Sequence, residues 1–298
     1  MNIPNSNLGA GQTKNIVDRH YGKLFPTLFI SHRLNSKSSI SLSYNSRITR
    51  PSFNNLAPFT YYINKNSLLT GNPALQPATS YAVNAGYTFK KYMLQVSFTK
   101  EDNAISSFQP NVDSASNKVI NKPENLRNQK LVALVLSVPV KITTRWSMQY
   151  NITATWQQVN AWYQKDPVRI EQEYVNFNMS QSFILPEHFS VELSGFYNSR
   201  RLNGITVFKP FGSLDFGIRK KLGSMDNINF SVTNLLNSMD YRGYTHLAEK
   251  NLVADIHLRF SSRIFKLTYT HSFGKQKLKA SRSRTTEAED EKDRVKYN

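Results

Sequence analysis

Side chains able to do chemistry are present in this chain, but they are not spaced to act together. The six histidines are His20, His32, His188, His246, His257 and His271. No pair of them has the H-x-x-x-H spacing that sets two imidazoles on one face of a helix to hold a metal. There is no cysteine, which excludes a thiolate nucleophile, Cys-ligated zinc or iron–sulfur, and a disulfide framework. Serine is plentiful, yet a Ser/His/acid site needs one serine singled out beside its base. Neither a G-x-x-x-x-G-K phosphate loop nor a dinucleotide-binding glycine pattern occurs. The expectation is a protein that is not an enzyme, with no catalytic, metal-binding or cofactor-binding residue and no cofactor.

Charge points elsewhere. Thirty-eight Lys and Arg against 20 Asp and Glu give a net charge of +18, which in a soluble chain would suggest nucleic acid as a partner. Here the cations are dispersed, and the aromatics form no compact basic groove. Many cations fall at short connections: Lys90 and Lys91, Lys141 and Arg145, Arg219 to Lys221, Arg259 and Arg263. Such positions suit either anionic headgroups at a membrane surface or simple solvation. No nucleic-acid partner is expected.

What must position any of these groups is a strict two-residue alternation. Trp146, Met148, Tyr150, Ile152, Ala154 and Trp156 alternate with Ser147, Gln149, Asn151, Thr153, Thr155 and Gln157. Successive side chains of a strand point to opposite faces, so this segment has one apolar and one polar face. At roughly ten residues it is long enough to cross a bilayer as a tilted strand. The mean hydropathy of −0.48 and the lack of any run of about 18 apolar residues exclude membrane helices. They do not exclude a membrane barrel, whose polar lumen face dilutes the average.

The alternating segments pair into hairpins. Residues 24–34 face 39–48, and the strand through Tyr81, Val83, Ala85, Tyr87 and Phe89 faces the one through Tyr92, Leu94, Val96 and Phe98. Val132, Leu134, Leu136 and Val138 precede the Trp146 strand; Val175, Phe177, Met179 and Phe183 precede Phe189, Val191, Leu193 and Tyr197. Leu214, Phe216 and Ile218 lie beside Ile228, Phe230 and Val232. A last hairpin is expected to join residues 251–260 to Phe265, Leu267, Tyr269, His271 and Phe273 through Ser261 and Ser262. That makes about twelve strands, with short turns on one rim and long loops (49–79, 103–128, 160–167, 239–250) on the other. Phe89, Tyr92, Trp146, Phe183, Phe189 and Phe273 stand beside the short turns on the outward parity, as an interfacial girdle would. A soluble sandwich has shorter strands and a polar exterior.

The fold class expected is therefore all-β, a transmembrane antiparallel β-barrel. Four charged residues carry inward parity: Glu192, Asp215, Arg219 and Lys266. They either line a solute path or meet a plug, or pair with one another to satisfy a polar interior. His188 reads as a solvated turn residue and His271 as an interface residue. Residues 275–298 are highly charged and lack an apolar period, which reads as a disordered tail. Residues 1–10 show no basic stretch followed by an apolar one, as a secretory leader would, so either the chain is not exported or its true start lies upstream.

Several phrases carry a resemblance. In order they are Leu24-Phe25-Pro26-Thr27-Leu28-Phe29, Arg47-Ile48-Thr49-Arg50-Pro51-Ser52-Phe53, Leu56-Ala57-Pro58-Phe59 and Gly71-Asn72-Pro73-Ala74-Leu75-Gln76-Pro77. Near the end come Val232-Thr233-Asn234-Leu235-Leu236-Asn237 and Tyr269-Thr270-His271-Ser272-Phe273-Gly274. As an ordered set they resemble the outer-membrane β-barrel family of Bacteroidetes, relatives of TonB-dependent receptors of the SusC type. The physical content of the phrases is structural: Gly-Asn-Pro stops a loop and launches a strand, and Arg-Pro ends pairing.

The resemblance implies a barrel of about 22 strands, a signal peptide, a plug domain and coupling to the TonB system, so the chain is expected to be the C-terminal part, a fragment lacking the plug. Residues 1–20 are then a loop or leader of the upstream barrel, 21–274 the barrel portion and 275–298 the tail. The expected role is uptake of a nutrient or signal across the cell outer membrane, with outer-membrane lipid as the surrounding partner. The other reading is a non-transporting barrel used as a structural, adhesive or partner-docking surface. No substrate-binding residue is assigned.

Overall fold

A computed structural model describes residues 24–113, 118–163, 166–247, 252–259 and 262–273. The expected segments 1–20 and 275–298 lie outside the described residues. The first hairpin is β1 (Thr27–Asn35) and β2 (Ser38–Thr49), followed by a four-residue helix, α1 (Phe53–Leu56), capped by the Ser52 hydroxyl. A small hairpin, β3 (Thr60–Asn64) and β4 (Ser67–Thr70), precedes the long pair β5 (Ala78–Phe89) and β6 (Tyr92–Asp102). Then come β7 (Ile105–Asp113), β8 (Lys118–Asn125), β9 (Asn128–Lys141), β10 (Trp146–Tyr163) and β11 (Asp166–Ile184). The remainder is β12 (Phe189–Asn198), β13 (Arg201–Asn203), β14 (Thr206–Phe208), β15 (Phe211–Lys221), β16 (Asp226–Thr233), β17 (Tyr241–Leu247), β18 (Leu252–Leu258) and β19 (Ile264–His271).

Eleven of these strands form one curtain, in the order β1-β2-β5-β6-β9-β10-β11-β12-β15-β16-β19, every neighbour antiparallel. The register decides which faces coincide. Ile30 lies opposite Leu42, Leu42 opposite Ala85, Ala85 opposite Val96, Val96 opposite Leu134 and Leu134 opposite Ala154. The apolar parity read from each strand is thus one continuous face. A one-residue slip anywhere would send half of it to the other side. At ~3.3 Å per residue and a tilt of ~40°, the row from Trp146 to Trp156 rises ~25 Å, the height of a hydrocarbon band. Above it the outward row of β9 turns polar at Lys130, and that of β6 at Lys100. The band has two edges, and both are legible.

This face is not buried by protein. Leu42 is 49% exposed, Val96 48% and Leu134 45%. Across β10 and β11, Trp146 stacks on Phe183 at 5.4 Å at the short-turn rim and Tyr150 on Phe177 at 6.1 Å further into the band. The compact core lies elsewhere. Ala104, Leu126, Val159, Ala161, Tyr163, Leu202, Ile205 and Leu252 form the buried cluster, all drawn from beyond the band on the long-loop rim.

Two small sheets stand on that rim: β3-β4-β8-β7, with β4 and β8 parallel, and β13-β14-β17-β18. They account for one correction. β18 does not pair with β19 in a final hairpin; β17 takes β18, while β19 returns to the curtain beside β16. The reason is visible in β18 itself, where Leu252 is fully buried in the loop core while Val253 is 67% exposed. Its alternation serves a water-facing core, not lipid. The expected twelve strands thus become eleven in the curtain, plus eight on the rim.

Loop chemistry matches the phrases. β2 ends at Thr49, just before Arg50-Pro51. Asn72 accepts the Ala74 N–H at 3.0 Å and donates its amide to the Pro123 carbonyl at 2.9 Å, tying the Gly-Asn-Pro turn to the β8 segment. Gly71 is required there, since a Cβ would stand 2.0 Å from the Ala57 carbonyl oxygen.

Candidate functional site

The polar parity of the curtain is held by amides and hydroxyls bridging strand to strand. Asn84 donates to Ser43 at 3.2 Å, Gln149 to Ser137 at 2.9 Å, and Gln157 to Gln129 at 3.2 Å. Gln129 in turn donates to Glu101 at 2.6 Å, and Asn176 to Asn198. Cross-strand side-chain pairs of this kind are the unit of sheet stabilisation. They leave the inner face hydrogen-bonding and wet, a lining for water or a polar solute.

At the outer end of this face the strand exits are anchored. Asn234 takes a left-handed conformation (φ 54°), which asparagine tolerates better than most residues. Its N–H donates to the Asp215 carboxylate at 2.8 Å, and its side-chain oxygen accepts the Ser238 N–H at 2.9 Å. Asp215 also accepts the Ser213 hydroxyl at 2.9 Å. Asn234 is fully buried. The Thr-Asn-Leu-Leu-Asn phrase therefore fixes the point where β16 leaves the curtain.

Beside that point lies a cation–aromatic cluster. Phe196 and Phe211, both on the polar parity, meet edge to face at 5.8 Å. Phe211 and Phe208 pack on Tyr241 at 5.0 and 4.6 Å. The Arg201 guanidinium sits 5.6 Å from the Phe211 ring and 5.9 Å from that of Tyr241, and donates to the Tyr241 hydroxyl at 2.9 Å. A guanidinium held among rings is suited to anionic or flat π-bonded groups.

Asp240, next to Tyr241, binds the Arg242 guanidinium and lies 2.5 Å from His257 Nε2. The hydrogen bond from Arg242 holds the Asp240 carboxyl below the usual carboxylate range; desolvation opposes this and His257 assists it. His246 and Asp255 face each other at 3.7 Å on the same hairpin. Among the described residues no group of three or more His, Asp or Glu side chains is arranged to hold a metal.

The remaining histidines are scattered: His32 opposite Ile40 on the outward parity, His188 in a left-handed turn (φ 64°), His271 against Asp226. His20 lies outside the described residues. The four inward charges do not pair with one another. Asp215 is committed to Asn234, while Glu192 faces Gly217, Arg219 faces Ser190 and Asn229, and Lys266 faces Ser231. Arg201 and the Phe196–Phe211 pair were not singled out by sequence. The available signal was a break in parity: phenylalanine on the polar side of two successive curtain strands.

A one-sided apolar curtain of antiparallel strands, girdled by aromatics, defines a membrane β-barrel wall. Residues 5–273 match the outer membrane protein β-barrel family. The chain belongs to that family and resides in the cell outer membrane. No curated protein matches it. Among solved structures it is similar to the siderophore receptor PirA from Pseudomonas aeruginosa (14% identity, TM-score 0.55), covering 84% of this chain and 42% of the receptor. A mutant of the ferric enterobactin receptor PfeA from the same organism, in complex with enterobactin, aligns at 16% identity and TM-score 0.54, over 84% and 40%. The copper transporter OprC aligns at 13% and 0.55, over 84% and 40%. At such identities the likeness is one of fold. The chain spans about two fifths of the length of these proteins.

Proposed function

We propose that this chain is the C-terminal part of a TonB-dependent-receptor-like transporter, carrying a nutrient or signal across the outer membrane. The observation that supports this most is the pair of open wall edges. Among the described residues β1 and β19 each have one curtain neighbour, and an unpaired strand edge in hydrocarbon leaves backbone groups unsatisfied at several kcal/mol each. Further strands would close the wall. The coverage of two fifths of the receptors agrees with a barrel of about 22 strands. In such a barrel a plug domain would sit against the polar inner face, where Glu192, Arg219 and Lys266 stand exposed. The energy-coupling partner, TonB, would act from the short-turn rim. No catalytic role is assigned to any residue.

The test is solute uptake by the full-length gene product in the outer membrane, with and without the energy-coupling complex. Accumulation that stops when coupling is removed is expected. Equal behaviour in both arms, with no flux, would remove the transporter reading. The alternative, a non-transporting barrel serving as an adhesive or docking surface, is favoured by the packed sheets on the outer rim. It predicts partner binding by those sheets without flux.

A further inference from the structure

On the outward side and tips of the short-turn rim, cations outnumber acids. Lys37, Lys90, Lys91, Arg145 and Lys220 stand there against Glu187 and Asp226. Asp226 is already engaged, accepting from the Tyr269 hydroxyl at 2.5 Å and lying 2.6 Å from His271 Nδ1. Lys220 has outward parity, its register neighbours being Phe189 and Ile228. Its ammonium lies 4.4 Å from the centre of the Phe189 ring. Lys90 reaches over Phe89 at 5.4 Å. The Lys90 N–H also donates to the Lys37 carbonyl at 2.6 Å, so two adjacent turns bring like charges together. The Lys90 and Lys220 ammonium groups, held over outward rings, face away from the lumen at the depth where aromatic girdles meet headgroups, and exposed Lys37 stands on the turn beside Lys90.

We propose that this rim binds anionic glycerophospholipids of the inner leaflet, with Lys37, Lys90 and Lys220 on the phosphate and Phe89 and Phe189 at the glycerol level. Charge complementarity carries the choice of occupant. Clustered cations at a membrane surface attract acidic lipid; zwitterionic lipid offers no net charge to balance Lys37 beside Lys90. An acidic peptide in the lumen would not reach the outward face.

The full-length gene product, placed in nanodiscs of phosphatidylethanolamine with a minor share of phosphatidylglycerol, would be stripped gently and its retained lipids counted by mass spectrometry. Retained phosphatidylglycerol is expected at about threefold or more above its bulk share, falling to the bulk share in K37Q/K90Q/K220Q and in high salt. K100Q/K130Q, on the opposite rim, should leave it unchanged. Retention at the bulk ratio by the unaltered protein, or undiminished enrichment in the triple variant, would overturn the proposal. Should the triple variant fail to assemble, K220R is expected to keep the enrichment that K220Q reduces. Equal loss in both would assign the effect to packing on Phe189 and refute it.

Discussion

Single residues carry the strand exits of this protein more than its wall. Replacing Asp215 by alanine removes the carboxylate that accepts from the N–H of buried Asn234, a loss of ~1–3 kcal/mol, while Asp215→Asn keeps an acceptor. Protease cleavage within the β17–β18 hairpin should rise sharply in the first variant and little in the second. Asp240 makes a prediction about acid. A carboxyl held below its ordinary pKa of about 3.9 contributes stability that is complete above that value and lost as pH falls through the lowered one. Loop cleavage by an acid protease should therefore increase steeply only below about pH 4, and Asp240→Asn should flatten that dependence. Sequence named Asp215 for its inward parity but not for its partner. The Asp215–Asn234 bond spans two strands, and no local spacing reveals it.

At the scale of elements, alternation was readable wherever one face meets lipid, because a strand buried on one side alone declares its register in its own residues. All the wall strands were legible for that reason. β18 misled by the same logic: its alternation is real, but it opposes loop core to water. Pairing is a property of two strands, and apolar period alone cannot choose between β17 and β19. Engineered cysteines settle it cleanly, since the chain has none of its own. His246→Cys with Val253→Cys, which are register partners, should cross-link; Leu258→Cys with Phe265→Cys should not. The wall itself is tested by Leu136→Arg at mid-band, expected to cost ~2–4 kcal/mol of folding in lipid. Thr153→Arg, one residue from Leu136's partner Ile152 and on the polar face, should be nearly neutral. Refolding titrations in vesicles would measure both.

For the molecule as a whole, what the sequence concealed was the outer rim. Ile205 sits in a turn between two three-residue strands, too short to announce a core by period, and Tyr163 ends β10 where Val159, Ala161 and Tyr163 are buried on the parity that is polar lower down. Their packing depends on which loops meet, and that is fixed by the order of strands in the curtain. The division has a physical outcome. Wall and rim are folded against different solvents: the wall excludes hydrocarbon tails from its backbone, and the rim core excludes water from Leu126, Val159 and Leu252. Bilayer thickness should thus shift the melting of one without moving the other, and mild denaturant should do the reverse. A protein of this build has two stabilities rather than one, and a single unfolding midpoint would describe neither.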